Sequence, residues 1–150
     1  MATARVNGLD IAYETQGDPD APPLLLVMGL GAQLIDWPAG FCDLLAARGF
    51  HVIRFDNRDA GLSSALDDAG LPDLAAVLGG DPASAPYRIA DFAADTAGLL
   101  DHLGTGPAHV VGVSLGGMIA QQLAADHPHL VASLCSIMST TGDRTVGHPA

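Results

Sequence analysis

Apolar residues along this chain follow two rhythms. Unbroken runs bounded by glycine, proline or polar turns occur at Leu24–Met28 (LLLVM), His51–Phe55 (HVIRF), His109–Val113 (HVVGV) and Val131–Met138 (VASLCSIM). Runs of this length predict strands covered on both faces, as in a parallel sheet. Between them, helical spacing takes over. The segment after Trp37-Pro38 places Phe41, Leu44 and Leu45 on one expected face, with Asp36 as its cap and Arg48-Gly49 as its stop. Ala90–Leu103 repeats Phe92, Thr96, Leu99, Leu100 and Leu103 at helical intervals before Gly104, and Leu115–His127 forms a third helix. The amino-terminal segment Arg5–Thr15 has strand character on either side of Asn7-Gly8, a hairpin turn. Ala65–Pro86, rich in Ala, Gly, Asp and Pro, predicts a surface excursion with a short Leu71–Leu78 patch. Strands alternating with helices imply one α/β domain over residues 1–150, a mostly parallel sheet with an amino-terminal hairpin and helices on both faces.

Composition agrees with a packed domain and narrows its partners. Hydrophobic residues make up 49% and charged residues 15% of 150 positions, which excludes a disordered chain. Seventeen acids against six bases give a formal charge of −11, so nucleic acid and anionic membrane surfaces are poor partners and a small neutral ligand fits better. No apolar run is long enough to span a bilayer, and the first residues lack a signal peptide's order, so a cytoplasmic protein is expected. Cys42 and Cys135 stand far apart without metal-like spacing; two buried thiols are expected, and no metal.

One strand-to-helix junction carries candidate chemistry. In HVVGVSLGGM, residues 109–118, the strand ends at a serine held between glycines, Gly112-Val113-Ser114-Leu115-Gly116. Reactive groups in such sheets collect at the carboxyl ends of strands, where Ser114 falls. The pattern is that of a nucleophile elbow, in which glycines let strand and helix approach while a cramped turn presents the hydroxyl. The five-residue pattern alone is weak, and its placement between strand and helix gives it weight.

Three stretches together, LLLVMGLGAQLIDW, HVIRFDNRDAGLSS and HVVGVSLGGMIAQQLAADHP, resemble in order and spacing the α/β-hydrolase fold serine hydrolases, and look most similar to small bacterial ester hydrolases of the aclacinomycin methylesterase type. The resemblance implies Ser114 as nucleophile and an oxyanion hole from the main-chain N–H groups of Leu30 and Leu115. A hole needs two such donors converging on one oxygen. Met28 stands where many relatives carry histidine, a difference that leaves a backbone donor untouched. The turn Asp56–Ser63 matches the family's turn after its fourth strand, with polar residues that fix the loop. No cofactor is implied, and the substrate is a small carboxylic ester.

The same resemblance places the catalytic acid after a seventh strand and the histidine after an eighth, whereas this chain carries six. It is expected to be the amino-terminal part of a longer hydrolase, or to pair through the bare edge of Val131–Met138 with a second copy or a separate carboxyl-terminal half. His51 and His109 open strands, about 16 Å from the serine's rim. His102, His127 and His129 also fall at the opposite rim. Only His148, with Asp143 as an orienting acid, could improvise a base. Two rivals remain. A dinucleotide site would use Gly29-x-Gly31 and Asp56, but Leu34 occupies the third small position and the helix starts too late. A non-catalytic binding or assembly module would keep the fold without the base.

Overall fold

The computed structural model describes residues 1–78 and 81–142. These residues form strands β1 (Ala2–Val6), β2 (Leu9–Gln16), β3 (Pro23–Val27), β4 (His51–Phe55), β5 (Ala108–Val113) and β6 (Val131–Ile137), with helices α1 (Ala39–Ala46), α2 (Leu74–Leu78), α3 (Ile89–Leu103) and α4 (Leu115–Asp126). The sheet order is β1-β2-β4-β3-β5-β6. Asn7 and Gly8 both take positive φ, 50° and 82°, so the two-residue turn closes β1 and β2 in an antiparallel hairpin. β2 pairs antiparallel with β4, and β4, β3, β5 and β6 run parallel.

Alternation along the central strands divides the core into two layers. Leu25, Val27, Ile53, Phe55 and Val110 point one way, against Phe92, Leu99 and Leu100 of α3 and Ile119 and Leu123 of α4. Leu24, Leu26 and Val52 point the other way, against Trp37 and Cys42. Each fully buried Leu, Ile or Phe contributes roughly 1.5–3 kcal/mol relative to exposure. The continuous apolar runs in β3 and β4 are therefore what a doubly covered sheet demands.

Connectivity decides where a crevice opens. From β3 the chain crosses through α1 to β4 on one side, then returns through α3 to β5 on the other side of β3. The segments leaving β3 and β5 consequently diverge to opposite faces. Their carboxyl ends, at Met28 and Ser114, flank the point where strand order reverses.

Three expectations are corrected. In α1 only Cys42 is buried, while Phe41 and Leu44 are 41% and 65% exposed. The eight-residue helix lies on the sheet through Cys42, Leu45 and Ala46, and Phe41 stacks instead on Trp37 at 5.8 Å. Asp36 does not cap α1: it closes the single turn Leu34–Asp36, accepting from Gln33 N at 2.8 Å, and the N-cap of α1 is Pro38. Cys42 is fully buried but Cys135 is exposed, because β6 is an outer strand whose residues beyond Val131 are open to solvent.

Candidate active site

Ser114 is the N-cap of α4 and holds φ 54°, ψ −121°, a conformation that costs a non-glycine residue roughly 1–3 kcal/mol. Its surroundings impose this bend. A Cβ on Gly112 would lie 2.1 Å from the carbonyl oxygen of Gly116, and one on Gly116 would lie 2.2 Å from the carbonyl oxygen of Val27. Only glycine lets α4 start so close to β5 and β3. The turn is pinned by Ser114 N donating to Ile137 O at 2.9 Å and by Gly117 N donating to Ser114 O at 2.9 Å. The serine is exposed, and its hydroxyl does not cap the helix.

Gly29, at the end of β3, comes close to this turn: a Cβ there would sit 3.2 Å from Ser114 Cβ and 3.7 Å from its Oγ. Leu30 and Leu115 line one cleft of about 110 Å3 together with Asn57, Arg58, Tyr87 and Phe92. Among the described residues, no acceptor takes the main-chain N–H of either leucine. The side chain of Leu30 projects outward, 84% exposed. Leu115 N–H belongs to the first turn of α4, where the helix's partial positive charge concentrates.

Residues after β4 hold the loop that carries Leu30. Asp56, 2% exposed, accepts from Leu34 N at 2.6 Å and from Leu62 N at 2.9 Å, and Asn57 Nδ2 donates to Met28 O at 3.1 Å. Gly61 lies so near the Asp56 carboxylate that a Cβ would meet it at 2.1 Å. The two polar side chains therefore brace the β3 loop from both ends. Their role matches the loop-fixing one expected for this turn.

Arg58 adds a layer the sequence reading missed. Its Nε donates to Asp95 Oδ2 at 2.7 Å, and the pair is nine-tenths or more buried. Asp95 also accepts from Asn7 Nδ2 at 3.0 Å. The guanidinium lies 5.4 Å from the Tyr87 ring and 5.7 Å from the Phe92 ring. A signal was present in the sequence: Asp95 falls three residues after Phe92 and four before Leu99, on the apolar stripe of α3. A carboxylate there requires a buried partner. Tyr87, hydrogen-bonded to Asp59 and partly buried, has its phenol pushed up to about 12, first by desolvation and then by that carboxylate.

The described histidines lie away from the serine's rim. His51 opens β4 and His109 follows the first residue of β5, where it meets Ser133 Oγ at 2.7 Å. His102 falls in the last turn of α3, and His127 and His129 follow α4. Asp143 and His148 lie outside the described residues. Among the described residues, no group of three or more His, Cys, Asp or Glu could hold a metal, and no helix is long and apolar enough to cross a membrane.

Comparison with known proteins agrees with this architecture. A family model described as alpha/beta hydrolase fold matches residues 22–148. Rhodomycin D methylesterase DnrP of Streptomyces peucetius is 40% identical over 121 residues, which is 81% of this chain and 36% of that protein. A poly(3-hydroxyalkanoate) depolymerase of Ectopseudomonas oleovorans is 34% identical over 127 residues, 84% of this chain and 38% of its own length. The enol-lactonase from Burkholderia xenovorans LB400 superposes with a TM-score of 0.75 at 28% identity, covering 92% of this chain and 46% of that one. The chain thus spans less than half the length of these relatives. With its strand order, its glycine-flanked serine turn and its match over residues 22–148, the chain belongs to the alpha/beta hydrolase fold family.

Proposed function

We propose that this chain supplies the nucleophile and the oxyanion-binding half of a serine hydrolase of small carboxylic esters, as the amino-terminal portion of a longer enzyme. Ser114 Oγ attacks the ester carbonyl carbon, and the oxygen that becomes negative is held by the N–H groups of Leu30 and Leu115. Collapse of the tetrahedral species breaks the bond to the alcohol, which leaves with a proton, and water then releases the acid from the acyl-enzyme. Removing one such donor typically costs about 100- to 1,000-fold in rate. Gly112 and Gly116 serve by allowing the bend.

The observation that carries this reading is the exposed serine with φ 54°, beside two main-chain donors that no acceptor among the described residues uses. A strained bend that leaves a hydroxyl uncapped has little value to a scaffold. A base and an orienting carboxylate complete the mechanism, and the length of the relatives that this chain does not span has room for both. The outer edge of β6, which no strand among the described residues pairs and where Leu134 and Ile137 are 40% and 39% exposed, offers the surface on which further strands or a second copy would pair.

Fluorophosphonate labelling tests the proposal on the complete protein. An adduct on Ser114 is expected, lost in Ser114→Ala without loss of the folded sheet. Absence of any adduct on Ser114 in a folded, complete protein would leave the binding or assembly module as the better reading.

A further inference from the structure

Gly29 meets two demands that pull against each other. A Cβ there would sit 3.2 Å from Ser114 Cβ and 3.3 Å from Val113 O, tighter than side chains ordinarily pack, so the approach of the β3 loop to the serine favours glycine. Glycine, however, leaves rotation about its own φ and ψ sterically permissive. The N–H of Leu30 belongs to the Gly29–Leu30 peptide plane, and rotation at Gly29 therefore sets its direction. A donor for an oxyanion has its value in being aimed before the charge develops, so the swivel at Gly29 has to be locked by other means.

Hydrogen bonds hold the peptide plane on each side of it. Before Gly29, Asn57 Nδ2 donates to Met28 O at 3.1 Å and fixes the Met28–Gly29 plane. After it, Ala32 N donates to Gly29 O at 3.3 Å and closes a four-residue turn. In a trans peptide C=O and N–H point opposite ways, so a Gly29 carbonyl turned in toward Ala32 sends the Leu30 N–H outward, where no described residue accepts from it. The bond inside the turn is the longer of the two, and the turn it closes carries Leu30 at 84% exposure. Asn57 is 5% exposed, which keeps water from competing for its amide, and facing a carbonyl it must present Nδ2, its donor. Met28 O also lies against the start of α4, since a Cβ on Gly116 would come within 2.7 Å of it. The carbonyl is thus held between Asn57 and the first turn of that helix.

We propose that Asn57 is a positioning residue for the oxyanion site: by holding Met28 O it locks the swivel at Gly29 and keeps the Leu30 N–H aimed at the oxygen that attack by Ser114 makes negative. This rests on the ester-hydrolase reading for the oxygen bound and on the loop's hydrogen bonds for the orientation. Asn57 acts through Met28 and Gly29 and leaves bond-making to Ser114. Without its donor the Gly29–Leu30 plane can turn and offer the Gly29 carbonyl where the N–H stood. A carbonyl facing a developing anion repels it, so a turned plane is worse than a missing donor.

Nuclear magnetic resonance on the complete protein reads the orientation without turnover. A scalar coupling across the hydrogen bond from Asn57 Nδ2 to the Met28 carbonyl carbon is expected in the unsubstituted protein. In Asn57→Ala the residual dipolar coupling of the Leu30 amide should change while that of Leu115, whose direction α4 sets, stays as it was. With p-nitrophenyl acetate as substrate, kcat should fall about 10- to 100-fold with KM within about twofold. Asn57→Asp keeps the shape and replaces the donor by a carboxylate oxygen, so it should be no more active than Asn57→Ala, whereas a space-filling role would be rescued by it. Absence of the coupling across the hydrogen bond, an unchanged Leu30 orientation in folded Asn57→Ala, or full kcat in Asn57→Asp would overturn the proposal. If the unsubstituted protein neither labels at Ser114 nor hydrolyses the ester, the ester-hydrolase reading fails instead, and the Leu30 coupling still decides the orientation.

Discussion

Gly112→Ala probes the bend at Ser114 most directly. The added methyl would stand 2.1 Å from Gly116 O, 2.4 Å from Gly116 C and 2.6 Å from Gly117 N, all of them main-chain atoms in the first turn of α4. Relief to an ordinary contact near 3.4 Å requires the helix start to retreat by about 1.3 Å. α4 cannot yield cheaply, because Gly116 is itself pressed against Val27 O and Ile119, Ala120 and Leu123 are fully buried beneath it. Overpacking of this kind costs roughly 1–3 kcal/mol, and the variant should lose that much in urea denaturation. A retreat of that size also carries Leu115 N–H away from Ser114, and misplacement of about 1 Å can cost on the order of 100-fold in reactivity. Fluorophosphonate labelling, normalised to the unsubstituted protein, should fall accordingly. Gly40→Ala is the control: nothing lies within 4 Å of its Cβ position, and in α1 it should gain roughly 0.5–1 kcal/mol. If Gly112→Ala unfolds and labels like the unsubstituted protein, the close approach is not what shapes the serine turn.

Four further outcomes are expected. Ser114→Gly should be more stable than Ser114→Ala by about 1 kcal/mol in chemical denaturation, because φ 54°, ψ −121° strains any residue with a Cβ; equal stability would deny the strain. Asp95→Ala should lower stability by roughly 3–5 kcal/mol in thermal or urea unfolding, since it leaves the Arg58 guanidinium buried without its carboxylate; a loss below 1 kcal/mol would mean that water replaces the partner. Alkaline titration of phenolate absorbance should reveal a tyrosine ionising near 12 that disappears in Tyr87→Phe. The folded state keeps that proton while the unfolded chain releases it near 10, so the group's contribution to stability is complete below pH 10 and is lost as pH rises toward 12. Asp59→Asn should move this ionisation downward, because the carboxylate is one of the causes raising it.

Much of the fold was legible from local pattern. The runs LLLVM and HVIRF read as doubly covered strands, Asn7-Gly8 as a hairpin turn, and Gly104 as the stop of α3, which it ends with φ 63°. The serine turn was legible for the same reason, since its demands on Gly112 and Gly116 fall within five residues. The apolar face of α1 was not. Helical spacing nominates Phe41, Leu44 and Leu45, but the sheet lies on the side of Cys42, and Phe41 found its partner in Trp37.

From its sequence alone this chain determined its strands, most of its helices and the glycine-flanked serine, because those depend on side-chain periodicity and on steric limits acting between near neighbours. Only the tertiary structure decided which distant groups share a space. The reversal of strand order between β3 and β5 brings Met28, Asn57 and Ser114 to one rim and leaves the strand-opening His51 and His109 at the other. It also joins Arg58 to Asp95 across 37 positions and sets Asp59 against Tyr87 beside the cleft that Leu30 and Leu115 line. Such pairings follow from how the crossovers fold back over the sheet, and no local pattern encodes the direction of that return.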